Sequence, residues 1–235
     1  MGALGKRFAF TGYWLNVPPG SAANTWTGKR EMLREQGFGF LVLFNGRTEK
    51  EIKLSKDAAS FGESDGRTAI ESAHHEGFHA DTVIFLDQEE GGRMLPDQRA
   101  YIHAWVDTVN ASGFRAGVYC SGMPSSEGHG VMVVTAQEIR ANAAGRSIQF
   151  FVYQDACPPS PGCAYAATPP APAASGVDFA TAWQFAQSPR RPEYTSACAA
   201  TYAADGNCYS KVPGTDGVFI DLDAATSADP SGGRN

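Results

Sequence analysis

Short apolar runs alternate with helical segments through the first two-thirds of the chain, and this alternation constrains the fold more than any other feature. The apolar runs are rich in β-branched and aromatic residues, which indicates buried strands. The segments between them have helical spacing, and several end at a glycine. Strands separated by helices predict parallel βα units. The predicted strands cover residues 8–13, 38–44, 83–89, 115–120 and 147–154.

The last third of the chain has a different composition. Residues 158–175 are rich in proline and alanine and are predicted to form a long loop. Two further strands are predicted at 181–185 and 217–221, with little helix around them. The whole pattern predicts an α/β fold, either a TIM-type barrel or a doubly wound sheet. We expect a single domain over residues 1–226 and a flexible tail over residues 227–235.

Charge and motif content disfavour several classes of protein. The 235 residues carry a net charge of -6, and their lysines and arginines form no basic arm, which disfavours nucleic-acid binding. No Gly-x-Gly-x-x-Gly or Walker-type loop follows a strand, so a nucleotide cofactor is not expected. No run of about 18 apolar residues occurs, so no membrane span is expected. The prediction from the sequence is a protein with no cofactor and no metal.

The five cysteines bear on the compartment in which the protein works. Cys157 and Cys163 flank a Pro/Gly loop, and Cys198 and Cys208 flank a polar stretch; both pairs favour the disulfides of an exported protein. Cys120 lies in a predicted strand and is expected to be a buried thiol. The alternative is a cytoplasmic protein with free cysteines. Because the first residues lack the apolar stretch of a secretion signal, export requires a signal that has been removed.

Asp87 and Glu89 form the strongest candidate site. They come at the end of a predicted strand, and side chains two residues apart on a strand lie on the same side. Carboxylates at the end of a buried strand are costly unless they face a cleft. Two acids that face one cleft are suited to cleavage of a glycosidic bond. Asp221 and Asp223 repeat the same spacing at the end of the last predicted strand.

Four motifs along the chain carry a family resemblance. They are Asp87-Gln88-Glu89, Gly117-Val118-Tyr119-Cys120-Ser121, Trp183-Gln184-Phe185 and Val218-Phe219-Ile220-Asp221-Leu222-Asp223. In this order they resemble the glycoside-hydrolase-like barrels known as domain of unknown function 1906, which are related to glycoside hydrolase family 25 lysozymes. The resemblance covers roughly residues 8–224. It implies a TIM-type barrel of five βα units followed by three strands with little helix.

The resemblance also implies a substrate and residue roles. The substrate would be the peptidoglycan glycan strand, cut after N-acetylmuramic acid, and we expect a monomer that is secreted or associated with the cell wall. Glu89 corresponds to the general acid, and Asp87 and Asp221 correspond to its partner carboxylates. Tyr119 corresponds to a residue that lines the substrate groove. Two further candidate substrate contacts, by stacking on a sugar ring and by hydrogen bonding to a hydroxyl, are Trp183 and Gln184.

The first strand departs from the family pattern. The lysozymes carry an aspartate at the end of this strand, whereas the predicted first strand here contains no acid. Asn16 is the candidate for replacing part of that hydrogen bonding, and Tyr13 is a candidate substrate contact. The gap leaves open a non-catalytic relative that binds cell-wall glycan. A third alternative is a metal-dependent barrel hydrolase whose metal is held by Asp87, Glu89 and Asp221.

Overall fold

The computed structural model describes residues 4–54, 57–161, 168–187 and 220–234. The strands are β1 (Phe10–Trp14), β2 (Gly39–Asn45), β3 (Val83–Gln88), β4 (Arg115–Ser121), β5 (Pro124–Ser126), β6 (Met132–Val134), β7 (Gln149–Tyr153), β8 (Ala182–Ala186) and β9 (Leu222–Ala225). The helices are α1 (Arg30–Glu35), α2 (Glu49–Ile52), α3 (Ala58–His75), α4 (Pro96–Ala111) and α5 (Thr135–Ala141), with a short 3-10 helix at Pro172–Ser175. Within these described ranges, no helix is long and apolar enough to cross a membrane.

Seven of the strands form one curled sheet. Their order is β1-β2-β3-β4-β7-β8-β9; the neighbouring strands are parallel up to β8, and β9 runs antiparallel to β8. β5 and β6 form a separate antiparallel hairpin. The sheet is a half-barrel, which confirms the predicted barrel-like α/β class. The number of βα units stays a prediction, because much of the strand predicted at 217–221 lies outside the described residues.

Helices α3 and α4 pack closely on the outside of the half-barrel. Helix α4 begins at Pro96, whose missing N–H costs nothing in the first turn of a helix. Tyr101, Trp105 and Val109 recur at four-residue intervals and are fully buried in the outer core. Helix α3 meets this helix at Gly62, where an added Cβ would lie 2.2 Å from the carbonyl oxygen of Tyr101. Glycine at this position therefore allows the backbones to approach.

The sheet separates two apolar layers because side chains alternate along each strand. The outer layer packs against the helices and contains most of the buried hydrophobic residues. The buried residues of the inner layer are Leu41, Leu43, Val83, Phe85, Phe151 and Ala182, with Phe10, Trp14, Tyr119 and Ala225 packed against them. A residue's position in this alternation therefore decides whether its side chain reaches the inside of the half-barrel.

The C-terminal segment (residues 226–234) closes the end of the sheet at which the parallel strands begin. Asp229 accepts a hydrogen bond from the Phe40 N–H at 2.8 Å. The Ser231 backbone donates to the Phe40 carbonyl and accepts from the Val83 N–H, both at 2.8 Å. Only 1% of Ser231 is exposed. The polar residues of this segment thus bind strand edges far away in sequence, which composition does not reveal.

The structure confirms the prediction for Cys120, whereas the two predicted disulfides involve cysteines that it does not describe. Cys120 is a free, buried thiol on β4, as predicted. Burial raises the pKa of this thiol, so it is not a reactive thiolate. Cys163, Cys198 and Cys208 lie outside the described residues. The two predicted disulfides therefore stay predictions.

Candidate functional site

A cavity of about 950 Å³ lies on the inner side of the half-barrel. The two edge strands of the sheet, β1 and β9, both line it. Its lining includes the carboxylic acids Asp87, Glu89, Asp221 and Asp223, together with Tyr119 and Gln184. The structure thus brings the acids of the third predicted strand together with those of the last strand in one cavity.

Asp87 is the last inward-facing residue of β3, and only 4% of it is exposed. Neither of its carboxyl oxygens has a hydrogen-bond partner among the described residues. Burial raises the pKa of this carboxyl well above its usual range, and the nearby carboxylate of Glu89 raises it further. Asp87 therefore keeps its proton at a pH at which an exposed aspartate is ionised.

Glu89 and its neighbour Glu90 have different surroundings. Glu89 lies just beyond β3 and lines the cavity, where it remains accessible to solvent. The cavity walls nevertheless shield its carboxyl in part, and this partial burial raises the pKa of the carboxyl. The Tyr153 hydroxyl donates to the Glu89 carbonyl oxygen at 3.0 Å and holds this part of the backbone. The Glu90 carboxylate instead accepts from the Gln98 amide at 2.7 Å and from the Glu49 N–H at 2.8 Å. Glu90 is therefore structural, whereas Glu89 is accessible to a ligand.

Tyr119 lies between the acids of β3 and those of β9. Its position in β4 pairs in register with Asp87, and its hydroxyl donates to the side-chain oxygen of Gln184 on β8. Burial raises the pKa of the Tyr119 phenol well above its usual range, and the charges of Asp87 and Asp221 raise it further. Tyr119 therefore stays protonated and remains a hydrogen-bond donor. The coupling to both acids places all three groups within electrostatic reach of one another.

Asp223 is a cavity residue on β9, directly opposite Gln184 in the antiparallel register. One of its carboxyl oxygens is buried without a hydrogen-bond partner among the described residues. Burial raises the pKa of its carboxyl well above the usual range, with a smaller contribution from the charge of Asp221. Asp221 itself is exposed and precedes β9. From the sequence, Asp221 and Asp223 share a side, and only Asp221 is predicted as a site residue.

Two aromatic residues predicted to contact a substrate lie outside the cavity. Tyr13 is fully buried in the outer core, and its hydroxyl donates to the Trp26 carbonyl at 2.9 Å. Trp183 is also fully buried in the outer core, where its indole N–H donates to the Gln154 carbonyl at 2.9 Å. Each residue occupies the outward position of its strand, so the structure does not bring either side chain to the cavity. The strand neighbour of Tyr13 that lines the cavity is Trp14.

Asn16 does not take the place of the missing first-strand carboxylate. Its side-chain amide donates to the Asn45 carbonyl at 3.0 Å, and its side-chain oxygen accepts from the Asn45 N–H at 2.7 Å. Both ends of the amide are therefore used to join the ends of β1 and β2. The inward residues of β1 are Phe10, Gly12 and Trp14, so this strand presents no acid to the cavity.

The metal-dependent alternative finds no support in the geometry. Among the residues that the structure describes, no group of three or more histidine, cysteine, aspartate or glutamate side chains could hold a metal ion. The cavity acids are spread over β3 and the start of β9, with Tyr119 and Gln184 between them.

Comparisons with known proteins concern the family and the fold of the chain. A family model described as "Rv2525c-like, glycoside hydrolase-like domain" matches residues 21–156. The crystal structure of an uncharacterized B. stearothermophilus protein is similar, with 20% identity, a TM-score of 0.51, and coverage of 77% of this chain and 78% of that chain. The Mycobacterium tuberculosis Tat-secreted protein Rv2525c, in complex with L-tartrate, is similar with 13% identity, a TM-score of 0.50, and coverage of 92% and 84%. None of the curated proteins matches this chain.

Proposed function

The chain belongs to the Rv2525c-like glycoside hydrolase-like domain family, and from this premise we propose that its cavity binds a cell-wall aminosugar polymer and hydrolyses a glycosidic bond in it, as a muramidase does. The observation that carries the proposal is the pair of inward acids at the end of β3. Asp87 and Glu89 enter the same cavity, and one is buried while the other is accessible. Two carboxyl groups in different environments are what glycoside cleavage requires.

In this proposal Glu89 is the general acid. Its accessible carboxyl, whose pKa is raised, would donate its proton to the glycosidic oxygen while the C1–O bond breaks and the bonding electrons leave with that oxygen. The exposed carboxylate of Asp221 would stabilise the positive charge that develops at C1. Water then adds to C1 and returns a proton to Glu89. Asp87 keeps its own proton and adds no negative charge beside Glu89, so the raised pKa of the Glu89 carboxyl comes from its partial burial.

Aromatic and amide groups of the cavity would position the sugar. Trp14 lines the cavity on β1 and offers an indole face to the apolar face of a sugar ring. Tyr119 and Gln184 hold each other by a hydrogen bond, which orders both side chains before a ligand arrives.

Release of reducing ends from a cell-wall suspension tests the proposal. Glu89→Gln keeps the shape of the side chain but cannot donate the proton, so we expect the rate to fall at least about a hundredfold. Glu71→Gln is the matched control, since Glu71 is an exposed glutamate on the outer helix α3 and should retain full activity. Equal rates for Glu89→Gln and the unaltered protein would exclude Glu89 as the general acid.

A second candidate function is glycan binding without cleavage. The observation in its favour is that the inward residues of β1, Phe10, Gly12 and Trp14, include no carboxylate. Under this alternative the unaltered protein binds cell-wall glycan and releases no reducing ends. Binding that is unaffected by Glu89→Gln, with no turnover, would establish this alternative in place of the first.

We also propose that the protein acts outside the cytoplasm. One structural neighbour, Rv2525c, is described as Tat-secreted, and the cysteine spacing at 157 and 163 and at 198 and 208 suits disulfides. Mass spectrometry of the native and the reduced, alkylated protein tests this. Two pairs of cysteines that alkylate only after reduction are expected, while Cys120 alkylates on unfolding alone.

A further inference from the structure

Among the described residues that line the cavity, Arg7 is the only basic one, and it lies far from the acidic side chains. It belongs to the segment beside Gly5, where an added Cβ would lie 2.6 Å from the Gln36 carbonyl, before β2 begins. Asp87 pairs in register with Asn45, at the far end of β2. The seven residues of β2 separate the two positions by about 20 Å, so Arg7 is more than a Debye length from the acids.

A second observation points to a ligand group at the acidic end. Asp87 is 4% exposed, faces the cavity, and has no hydrogen-bond partner on either carboxyl oxygen among the described residues. One oxygen of Asp223, across the same cavity, is also buried and unpartnered. Buried polar atoms normally have partners, and leaving them unpaired costs free energy. These unpaired oxygens therefore lower the stability of the folded protein, and a bound hydrogen-bond donor would remove this penalty.

We infer that this end of the cavity selects a glycan that carries a free, protonated amino group, such as a glucosamine unit without its N-acetyl group. An ammonium group offers three hydrogen-bond donors and a positive charge, whereas an acetamido group offers one N–H donor and no charge. The two unpaired oxygens of Asp87 can take up two of those donors, and the unpaired oxygen of Asp223 is a second acceptor elsewhere in the same cavity. The inference rests on the proposed glycan binding, but it does not depend on whether the glycan is cut.

Binding of the ammonium group would release a proton. Asp87 binds its own proton while the cavity is without a cation, and the ion pair forms when that proton passes to solvent and the carboxylate accepts from the ammonium. The titratable groups beside Asp87 are Glu89 at the end of β3 and Tyr119 and the Cys120 thiol on β4, and the same cavity holds Asp221 and Asp223 at β9. These groups are acidic or neutral, so each of them favours the cation rather than competing with it.

Isothermal titration calorimetry with two matched sugars tests the inference. The trimer of glucosamine and the trimer of N-acetylglucosamine are titrated at about pH 6, where amines are protonated, in two buffers of different ionisation enthalpy. We expect the glucosamine trimer to bind roughly tenfold more tightly, the difference between a charge-assisted and a neutral hydrogen bond, and to release a proton. Equal or tighter binding of the N-acetylated trimer overturns the inference and leaves the proposed glycan binding intact. Failure of both sugars to bind overturns both.

Variants of the cavity acids test which side chains cause the preference for the glucosamine trimer. Asp87→Asn keeps the shape but cannot ionise, so the preference should fall to within about threefold and the proton release should disappear. Asp223→Asn is a second variant that weakens the preference if the first variant does not fold, as judged by thermal melting. Glu71→Gln on α3 is the control and should keep the preference. A trilysine peptide serves as a further arm: binding as tight as that of the glucosamine trimer would show that the cavity recognises any amine, and it would overturn the assignment to a sugar.

Discussion

Replacing Asp87 by asparagine should make the stability of the protein less dependent on pH. The folded state holds a proton on Asp87 that the unfolded chain releases above the usual aspartate pKa of 3.8. Because the pKa of Asp87 is raised in the folded state, this proton lowers the free energy of unfolding. The loss is absent below pH 3.8, grows as the pH rises above 3.8, and levels off above the pKa of the folded state. Asparagine has the shape of the protonated acid and no group that titrates, so the variant lacks this pH-dependent loss of stability.

The magnitude follows from the width of the pH window. Each pH unit between the two pKa values costs about 1.4 kcal/mol, and the window from 3.8 to pH 7 is about three units wide. The penalty at pH 7 is therefore at most about 4 kcal/mol, and at 4% exposure little of it is screened by solvent. We expect Asp87→Asn to gain stability relative to the unaltered protein on going from pH 4 to pH 7, by no more than about 4 kcal/mol.

Urea unfolding at several pH values measures this difference. Linear extrapolation gives the free energy of unfolding of both proteins at pH 4, 5.5 and 7, and the slopes with urea show whether the unfolded states are comparable. Asp178→Asn is the control, since Asp178 is exposed, and its curve should run parallel to that of the unaltered protein. Parallel curves for Asp87→Asn as well would refute the claim that the folded protein binds a proton at this residue.

Three further perturbations address the fold around the site. Trp183→Ala should lower the free energy of unfolding by about 3 to 5 kcal/mol in a urea titration, because this fully buried indole fills the outer core, and glycan affinity of the folded fraction should not change. Gly39→Ala should destabilise the protein by at least about 1 kcal/mol, since the new Cβ would lie 2.1 Å from the Ala228 carbonyl, and proteolysis after residue 226 should become faster. Ser231→Ala removes the hydroxyl that accepts from the Val42 N–H at 2.8 Å and should cost about 1 to 3 kcal/mol; an unchanged melting temperature would contradict this.

The alternation of side chains explains which parts of the site the sequence could predict. Asp87 and Glu89 are two residues apart, so their common side followed from spacing, and a polar side chain at that position identified the inner face of β3. Tyr13 and Trp14 are both large and aromatic, and so are Trp183 and Phe185 with Gln184 between them. Where both faces of a strand are apolar, as in a half-barrel covered by helices, composition does not tell which face is inside.

The role of the C-terminal segment was out of reach for a different reason. Residues 226–234 are small and polar, which is typical of mobile tails. Their order comes from bonds to β2 and β3, and the β2 amides that bind the side chains of Asp229 and Ser231 lie 189 residues earlier in the chain. Local patterns carry no signal for pairing over that distance. Asn16 is a similar case, because its amide is engaged by the next strand rather than by the cavity.

The long-range pairing of Ser231 has a consequence for how the protein is made. The amide groups of Phe40 and Val42 in β2 acquire their partners only from residues that the ribosome adds 189 positions later. The nascent chain therefore emerges with these amides open to water, and the half-barrel is completed only when Asp229 and Ser231 reach them. Loss of Asp229 and Ser231, by early termination of synthesis or by a peptidase, would leave the strands without the partners that close this end of the sheet.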